Sequence, residues 1–205
     1  MLPLVTRLAC FDIGGVLVRI ARTWQEAAAA AGVSHNLGEE AVSLFTYAPL
    51  DAFQTGLTPY DLYLDQLAQD LGCDGEAADQ CHTHILVEEY PGIPELLARL
   101  KAEGWTTACL SNTNAPHWKE LTDPERFPTV AGLDFRIASH ELNAIKPSPE
   151  IFDAFEARTG FSAARITFFD DLPDNVTAAK AAGWDAHLID PHGDPATQMR
   201  DLLFP

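Results

Sequence analysis

The chain has 205 residues, 47% of them hydrophobic and 21% charged, and its 13 Lys and Arg stand against 30 Asp and Glu for a net charge of −17. That composition excludes a disordered, collagen-like or coiled-coil chain. So large an anionic excess also argues against nucleic-acid and anionic-membrane partners, both of which need cations at the contact face.

The length fits one full domain with an inserted module. No apolar run approaches the roughly 18 residues that cross a bilayer. The segment Met1–Ile20 is apolar but is interrupted by Arg7, Asp12 and Arg19 and lacks a cleavable signal pattern, so a cytoplasmic location is expected. Cys10, Cys73, Cys81 and Cys109 form no CxxC pair and read as reduced, structural thiols.

In chain order, the first strand is expected at Leu8–Phe11. From about Ala21 to Glu89 the signals are helical only. Thr23-Trp24-Gln25-Glu26 is a capping box leading into Ala27–Ala31, with Gly32 as the stop. Thr58-Pro59-Tyr60-Asp61 opens another helix, whose Leu62, Leu64, Leu67, Ala68 and Leu71 precede Gly72. Trp24, Phe45, Tyr47, Phe53, Tyr60 and Tyr63 are expected to form the core of this stretch, with one or two turned toward a site.

Strands and helices then alternate. Pro94 opens a helix over Glu95–Glu103 that Gly104 closes, and strands follow at Thr106–Leu110 and Phe135–Ala138. A helix runs from Ser148-Pro149-Glu150 to Thr159-Gly160, then a strand at Ile166–Phe169, a helix over Asp174–Ala182 stopped by Gly183, and a last strand at Ala186–Ile189. Alternation of this kind predicts an α/β core with a parallel sheet and right-handed crossovers. The core comprises residues 1–20 and 90–205, with 21–89 inserted after the first strand as a small α-helical cap.

In open α/β sheets the ligand sits outside the carboxyl ends of the strands. The residues there are Asp12, then Ser111-Asn112-Thr113, then Lys146, then Asp170-Asp171. Each has an ordinary alternative: the two Asp can cap a helix, Ser111-Asn112 can be a turn, and Lys146 can be a loop lysine facing solvent. Juxtaposition decides, because Asp12, Asp170 and Asp171 at one sheet edge repel one another without a cation. His117 is expected to belong to a helix start rather than to catalysis.

These stretches resemble the haloacid dehalogenase superfamily across nearly the whole chain. Phe11-Asp12-Ile13-Gly14-Gly15-Val16 is similar to its first motif, Leu110-Ser111-Asn112-Thr113 to the second, Lys146-Pro147 to the third, and Phe168-Phe169-Asp170-Asp171 with Asp174-Asn175 to the fourth. Ser111-Asn112-Thr113-Asn114 with His117, together with the fourth motif, most resembles the bacterial α-glucose-1-phosphate phosphatases. The resemblance implies a Rossmann-like core with a helical cap, Mg²⁺ as cofactor and an aspartyl-phosphate intermediate. It implies Asp12 as nucleophile, with Asp12, Asp171 and the Gly14 carbonyl as metal ligands. It also implies Ser111, Asn112 and Lys146 on the phosphoryl group, with Asp170 and Asn175 orienting the others. The implied substrate is a small phosphorylated metabolite, most specifically a sugar 1-phosphate.

One position departs from the superfamily. Most of its phosphatases carry a second Asp two residues after the nucleophile, which acts as general acid and then base; here Gly14 stands there, as in the glucose-1-phosphate group. Positioned proton transfer is worth about 10²–10⁴-fold, so the leaving group should be one that departs readily as an anion, as an anomeric hydroxyl does. Close approach of the Gly14 carbonyl to the metal, or a positive φ, would be a backbone reason for glycine. Three other activities compete. Dehalogenation needs no metal, and the paired acids argue against it. Phosphonate cleavage wants a cap lysine, and no lysine precedes Arg99. A catalytically inactive binding module has only Gly14 in its favour.

Overall fold

Seven strands and ten α-helices make up residues 7–204, which the computed structural model describes; Met1–Thr6 and Pro205, the outer ends of the expected core segments, lie outside them. In chain order these are β1 (Leu8–Phe11), β2 (Val18–Ile20), α1 (Trp24–Ala31), α2 (Ala48–Gln54), α3 (Tyr60–Leu71), α4 (Gly75–Thr83), β3 (Leu86–Glu89), α5 (Ile93–Ala102) and β4 (Thr106–Ser111). They continue with α6 (Ala115–Leu121), α7 (Pro128–Ala131), β5 (Phe135–Ala138), α8 (Pro149–Thr159), β6 (Ile166–Asp170), α9 (Pro173–Ala181), β7 (Asp185–Leu188) and α10 (Pro195–Leu203).

The fold is α/β, with a central five-stranded parallel sheet in the order β5-β4-β1-β6-β7. The chain builds outward from β1 through β4 to β5, then crosses to β6 and β7 on the other side. The order therefore reverses around β1, and the carboxyl ends of β1, β4 and β6 meet where a crevice is expected. All four residues of β1 are buried, as a strand covered on both faces must be. Ala9 and Phe11 point into the cluster that holds Ile93, Leu97 and Met199, while Leu8 and Cys10 point into the one that holds Phe152, Phe155 and Trp184. Phe11 stacks on its ladder neighbour Phe169 at 5.5 Å. Each buried aromatic of this kind contributes about 1.5–3 kcal/mol relative to exposure.

Helices α1–α4 pack around a third cluster of their own, built on Trp24, Phe53, Tyr63 and Leu67. The capping box is shifted by one residue: Thr23 Oγ1 accepts from Glu26 N–H at 3.1 Å, but the Glu26 carboxylate accepts from Arg22 N–H rather than from Thr23. The stretch expected to be purely helical is not so. It ends in β3, which pairs antiparallel with β2, Ile20 opposite Leu86 and Val18 opposite Glu89. A four-residue strand whose only partner lies far away in sequence leaves no local period to read.

Two strands outrun their expected ends. β4 continues to Ser111 and β6 to Asp170, so these polar residues are the last rungs of the ladder rather than loop residues. The last strand sits one residue earlier than expected because the β6 ladder fixes Thr167 opposite Asp185. Among the described residues, no helix is long and apolar enough to cross a membrane.

Candidate active site

The site begins where β1 ends. Asp12 N–H still donates to the Phe169 carbonyl at 2.8 Å, so the ladder fixes the backbone of Asp12. The chain then turns back on itself: Leu17 and Val18 both donate to the Ile13 carbonyl, and Gly15 N–H donates to the Val18 carbonyl. Gly15 has φ +80°, and a Cβ there would lie 2.5 Å from Asp171 Oδ2. Glycine is thus required at 15 twice over, by backbone and by the approach of Asp171. Gly14 differs from the expectation. Its φ lies outside the left-handed region, and a Cβ there would meet Ile20 Cδ1 at 2.8 Å. The space an acid would need beside Asp12 is filled by hydrocarbon.

Lys146 is drawn into the same place with its ammonium fully buried. Nζ lies 2.7 Å from Asp170 Oδ2 and 3.0 Å from Asp12 Oδ1. Burial alone would push this amine down, but Asp12 and Asp170 outweigh it and hold Lys146 above its ordinary range. Asn112 sets the position of Lys146 by clamping its backbone, donating to the carbonyl at 2.9 Å and accepting from the N–H at 2.8 Å. Asp170 is saturated: Oδ1 accepts from Leu172 N–H and from Asn175 Nδ2, and Oδ2 accepts from Lys146 and Asn175.

Asp12 and Asp171 are not saturated. Oδ1 of each is buried with no hydrogen-bond partner; the Lys146 contact to Asp12 is a charge contact out of line for a bond. Oxygens of Asp12, Asp170 and Asp171 lie within 4.8 Å of one another. Burial pushes the Asp12 carboxyl up to about 7, with Lys146 pulling against this and the Asp170 and Asp171 charges adding to it. Burial likewise raises Asp171, against the pull of Arg22. Hard carboxylate oxygens gathered this closely, with Asp171 Oδ1 unpartnered and Asp12 Oδ1 met by a charge contact alone, fit a small divalent cation that takes one or two carboxylates and keeps water in its remaining positions.

Arg22 is a residue that sequence reasoning missed. Its Nη1 donates to Asp171 Oδ2 at 2.7 Å, and its guanidinium lies over the Phe45 ring at 4.4 Å. The available signal was composition, since Arg22 is the sole Lys or Arg in residues 21–89.

His117 does start a helix, in α6, but it does more. Asn114 Oδ1 caps α6 by accepting from His117 N–H and also accepts from His82 Nε2 at 3.3 Å. Asn114 Nδ2 donates to His117 Nδ1, and His117 Nε2 donates to the His82 carbonyl at 2.8 Å. Tyr63 Oη completes the chain on His82 Nδ1, and the two imidazoles stack 4.0 Å apart. Each acceptor fixes its donor, so both rings are neutral with the proton on Nε2. Burial pushes both below the usual histidine range. His117 consequently has no free proton to give a leaving group.

Helices α1–α4 touch the sheet edge at further points, where Ser139 Oγ donates to the Gln54 carbonyl and Asn143 Nδ2 to the Thr55 carbonyl. Between them and the strand ends lies a cavity of about 530 Å³, with Asp12, Gly14, Ser111, Asn112 and Lys146 at its floor. Asn175 also lines the cavity but spends its amide on Asp170, whose own oxygens are taken by Lys146, Asn175 and Leu172; Asp171 does not line the cavity and lies beside Asp12.

The family described as "Hydrolase: haloacid dehalogenase-like hydrolase" matches residues 6–183. Among curated proteins, the chain is 27% identical over 150 residues to Phosphatase MT3486 of Mycobacterium tuberculosis, covering 70% of this chain and 65% of that one. It is 28% identical over 189 residues, 90% of each protein, to Sesquiterpene phosphatase astK of Aspergillus oryzae. It is 27% identical over 140 residues to Haloacetate dehalogenase H-2 of Moraxella sp., covering 66% of this chain and 61% of that one. The chain thus spans a little under two thirds of the Mycobacterium and Moraxella proteins. Its fold is similar to the crystal structure of the haloacid dehalogenase family enzyme BT-2542 of Bacteroides thetaiotaomicron in a magnesium complex, with TM-score 0.78, 24% identity and coverage of 95% of this chain and 98% of that one.

Proposed function

The chain belongs to the haloacid dehalogenase-like hydrolases, and on that premise we propose that it is a Mg²⁺-dependent phosphatase of small phosphorylated metabolites. The observation that carries this reading is the pair of orphaned, buried carboxylate oxygens of Asp12 and Asp171 beside a buried Lys146. Such a set attracts a divalent cation and then a phosphate dianion.

In this reading an Asp12 oxygen attacks phosphorus, the P–O bond to the leaving group breaks, and the departing oxygen takes a proton from water. Water then attacks the phosphorus of the aspartyl-phosphate, releasing inorganic phosphate and restoring the carboxylate. Lys146 offsets the charge of the phosphoryl group, while Ser111 hydroxyl and Asn112 N–H hold its oxygens. Asp170 and Asn175 keep Lys146 in place. When bound, Mg²⁺ supplies the charge that lets the carboxylate and the phosphate dianion approach, held by Asp12, Asp171 and the Gly14 carbonyl. Helices α1–α4 cover the site and keep bulk water out.

The magnesium and phosphatase readings draw support from the names of the relatives above, and a cytoplasmic location is supported by the four free cysteines. A sugar 1-phosphate is the narrower proposal; it rests on the motif wording at 111–117 and on the absence of an acid at Gly14. Dehalogenation is the competing reaction, and the paired acids Asp170 and Asp171 beside Asp12, which a metal-free reaction does not need, disfavour it. The test is hydrolysis of a panel of phosphomonoesters and of haloacetates, with EDTA and with added Mg²⁺, for the native protein and Asp12→Asn. We expect Mg²⁺-dependent release of phosphate, its loss in Asp12→Asn, and binding of BeF₃⁻ on Asp12. Full activity in metal-free buffer, or an active Asp12→Asn, refutes the reading.

A further inference from the structure

Away from the phosphate end, the cavity is walled by hydrocarbon. Half-buried Ile20 from β2, Phe45 from the turn before α2, Ile145 before Lys146 and Leu172 before α9 all face it, joined by buried Leu44 and Leu50. They come from separate stretches on both sides of the cavity, and four of them leave apolar surface open at a single place. Ile20 carries this wall to the reacting bond itself, since its Cδ1 fills the space beside Gly14 where a proton donor would stand. Polar side chains along the cavity are Thr46, Asp51 and Gln54 from α2 and the turn before it, Thr113 after β4, and Asp174 and Asn175 from α9, where Asn175 is spent on Asp170. His117 also lines the cavity, but both its ring nitrogens are engaged elsewhere.

We propose that the substrate is the monophosphate of an apolar alcohol or phenol, whose hydrocarbon part fills this chamber. The proposal rests on the phosphatase reading and sets an apolar leaving group against the sugar 1-phosphate that the motif wording suggests. A polyhydroxylated leaving group would shed water against the hydrocarbon part of these walls, which offers its hydroxyls no partners and is costly to cover with polar groups. A hydrocarbon loses nothing there and covers the open surface of Ile20, Phe45, Ile145 and Leu172.

The experiment separates the leaving group's size from its acidity. The n-alkyl monophosphates from ethyl to octyl share nearly one leaving-group pKa, so their relative kcat/KM with Mg²⁺ reports burial alone. We expect a rise of about fourfold per added methylene, the factor equivalent to roughly 0.8 kcal/mol, until the chamber is full. The matching n-alkylphosphonates, which cannot be hydrolysed, are titrated calorimetrically with Mg²⁺ present, and Kd should fall in parallel. A flat or falling series in both measurements, or glucose 1-phosphate binding more tightly than hexylphosphonate, overturns the proposal. Absence of turnover with every monoester counts against the phosphatase reading alone, because phosphonate binding still decides the nature of the chamber.

Discussion

Acid should weaken this protein through His82 and His117. Both imidazoles are buried and neutral in the folded chain, whereas in the unfolded chain they titrate near 6.5. A folded pKa held below the unfolded one means that the unfolded state binds more protons, so the stability is present above pH 6.5 and is lost as pH falls. At pH 5 an imidazole forced to stay neutral costs about 2 kcal/mol relative to pH 8, the free energy of 1.5 pH units below the unfolded pKa. Burial lowers both rings, so about 2 kcal/mol for each is the ceiling, met where a ring stays neutral down to pH 5. For His117, burial is joined by geometry, because a proton on its Nδ1 would face the Asn114 Nδ2 donor. The pair therefore removes up to about 4 kcal/mol between pH 8 and pH 5, or about 2–4 °C of Tm for each kcal/mol in a chain of this size. The many carboxylates titrate over the same range, so the assay is a difference: urea unfolding from pH 5 to 8 for the native protein and for His82→Gln/His117→Gln. The native curve should be steeper by roughly the amount given, whatever the absolute stability of the variant. Parallel curves, or an imidazole seen by NMR to titrate near 6.5 in the folded protein, would refute the reasoning.

Three further outcomes follow from the site. Lys146→Met leaves Asp12 and Asp170 without their cation and should cost about 3–5 kcal/mol in urea unfolding at pH 8 with EDTA, together with turnover; a loss under about 1 kcal/mol contradicts the buried pairing. Gly15→Ala forces a side chain to φ +80° against Asp171, so stability should drop by about 1–3 kcal/mol and calorimetric Mg²⁺ affinity should weaken; unchanged affinity argues against Asp171 as a ligand. With no acid at Gly14, log(kcat/KM) should fall steeply with leaving-group pKa, and Gly14→Asp should flatten the slope once Ile20 moves aside. A flat slope in the native protein, with chemistry rate-limiting, means that another group donates the proton.

What the sequence made legible was whatever the local pattern carries. Short apolar runs ending in polar residues located β1, β4, β5 and β6 to within a residue, and their carboxyl ends brought Asp12, Ser111, Lys146 and Asp171 to one cavity floor or its edge. The pattern failed where a partner lies far along the chain. β3 exists because β2 is there to receive it. Arg22 matters because Asp171, far along the chain, needs a donor on its second oxygen. His117 was legible as part of a helix start because Asn114 is a cap, yet its network needs His82 and Tyr63 from α4 and α3, which nothing near His117 announces. At Gly14 no positive φ asks for glycine, and the one tight neighbour is the tip of the Ile20 side chain.

The charges explain why Asp170 and Asp171, adjacent in sequence, have different tasks. Three carboxylates meet two cations here, Lys146 and Arg22, which leaves one formal negative charge before a phosphate dianion arrives. Asp170, at the end of β6, spends both oxygens on Lys146, Asn175 and Leu172, so it holds the Lys146 ammonium beside Asp12. Asp171, one residue past the ladder, spends one oxygen on Arg22 and keeps the other free beside Asp12. Burial, with the Asp170 and Asp171 charges adding to it, raises the Asp12 carboxyl against the pull of Lys146. On the phosphatase reading a divalent cation would answer both, since its charge meets the excess of acid and favours the ionised form of Asp12.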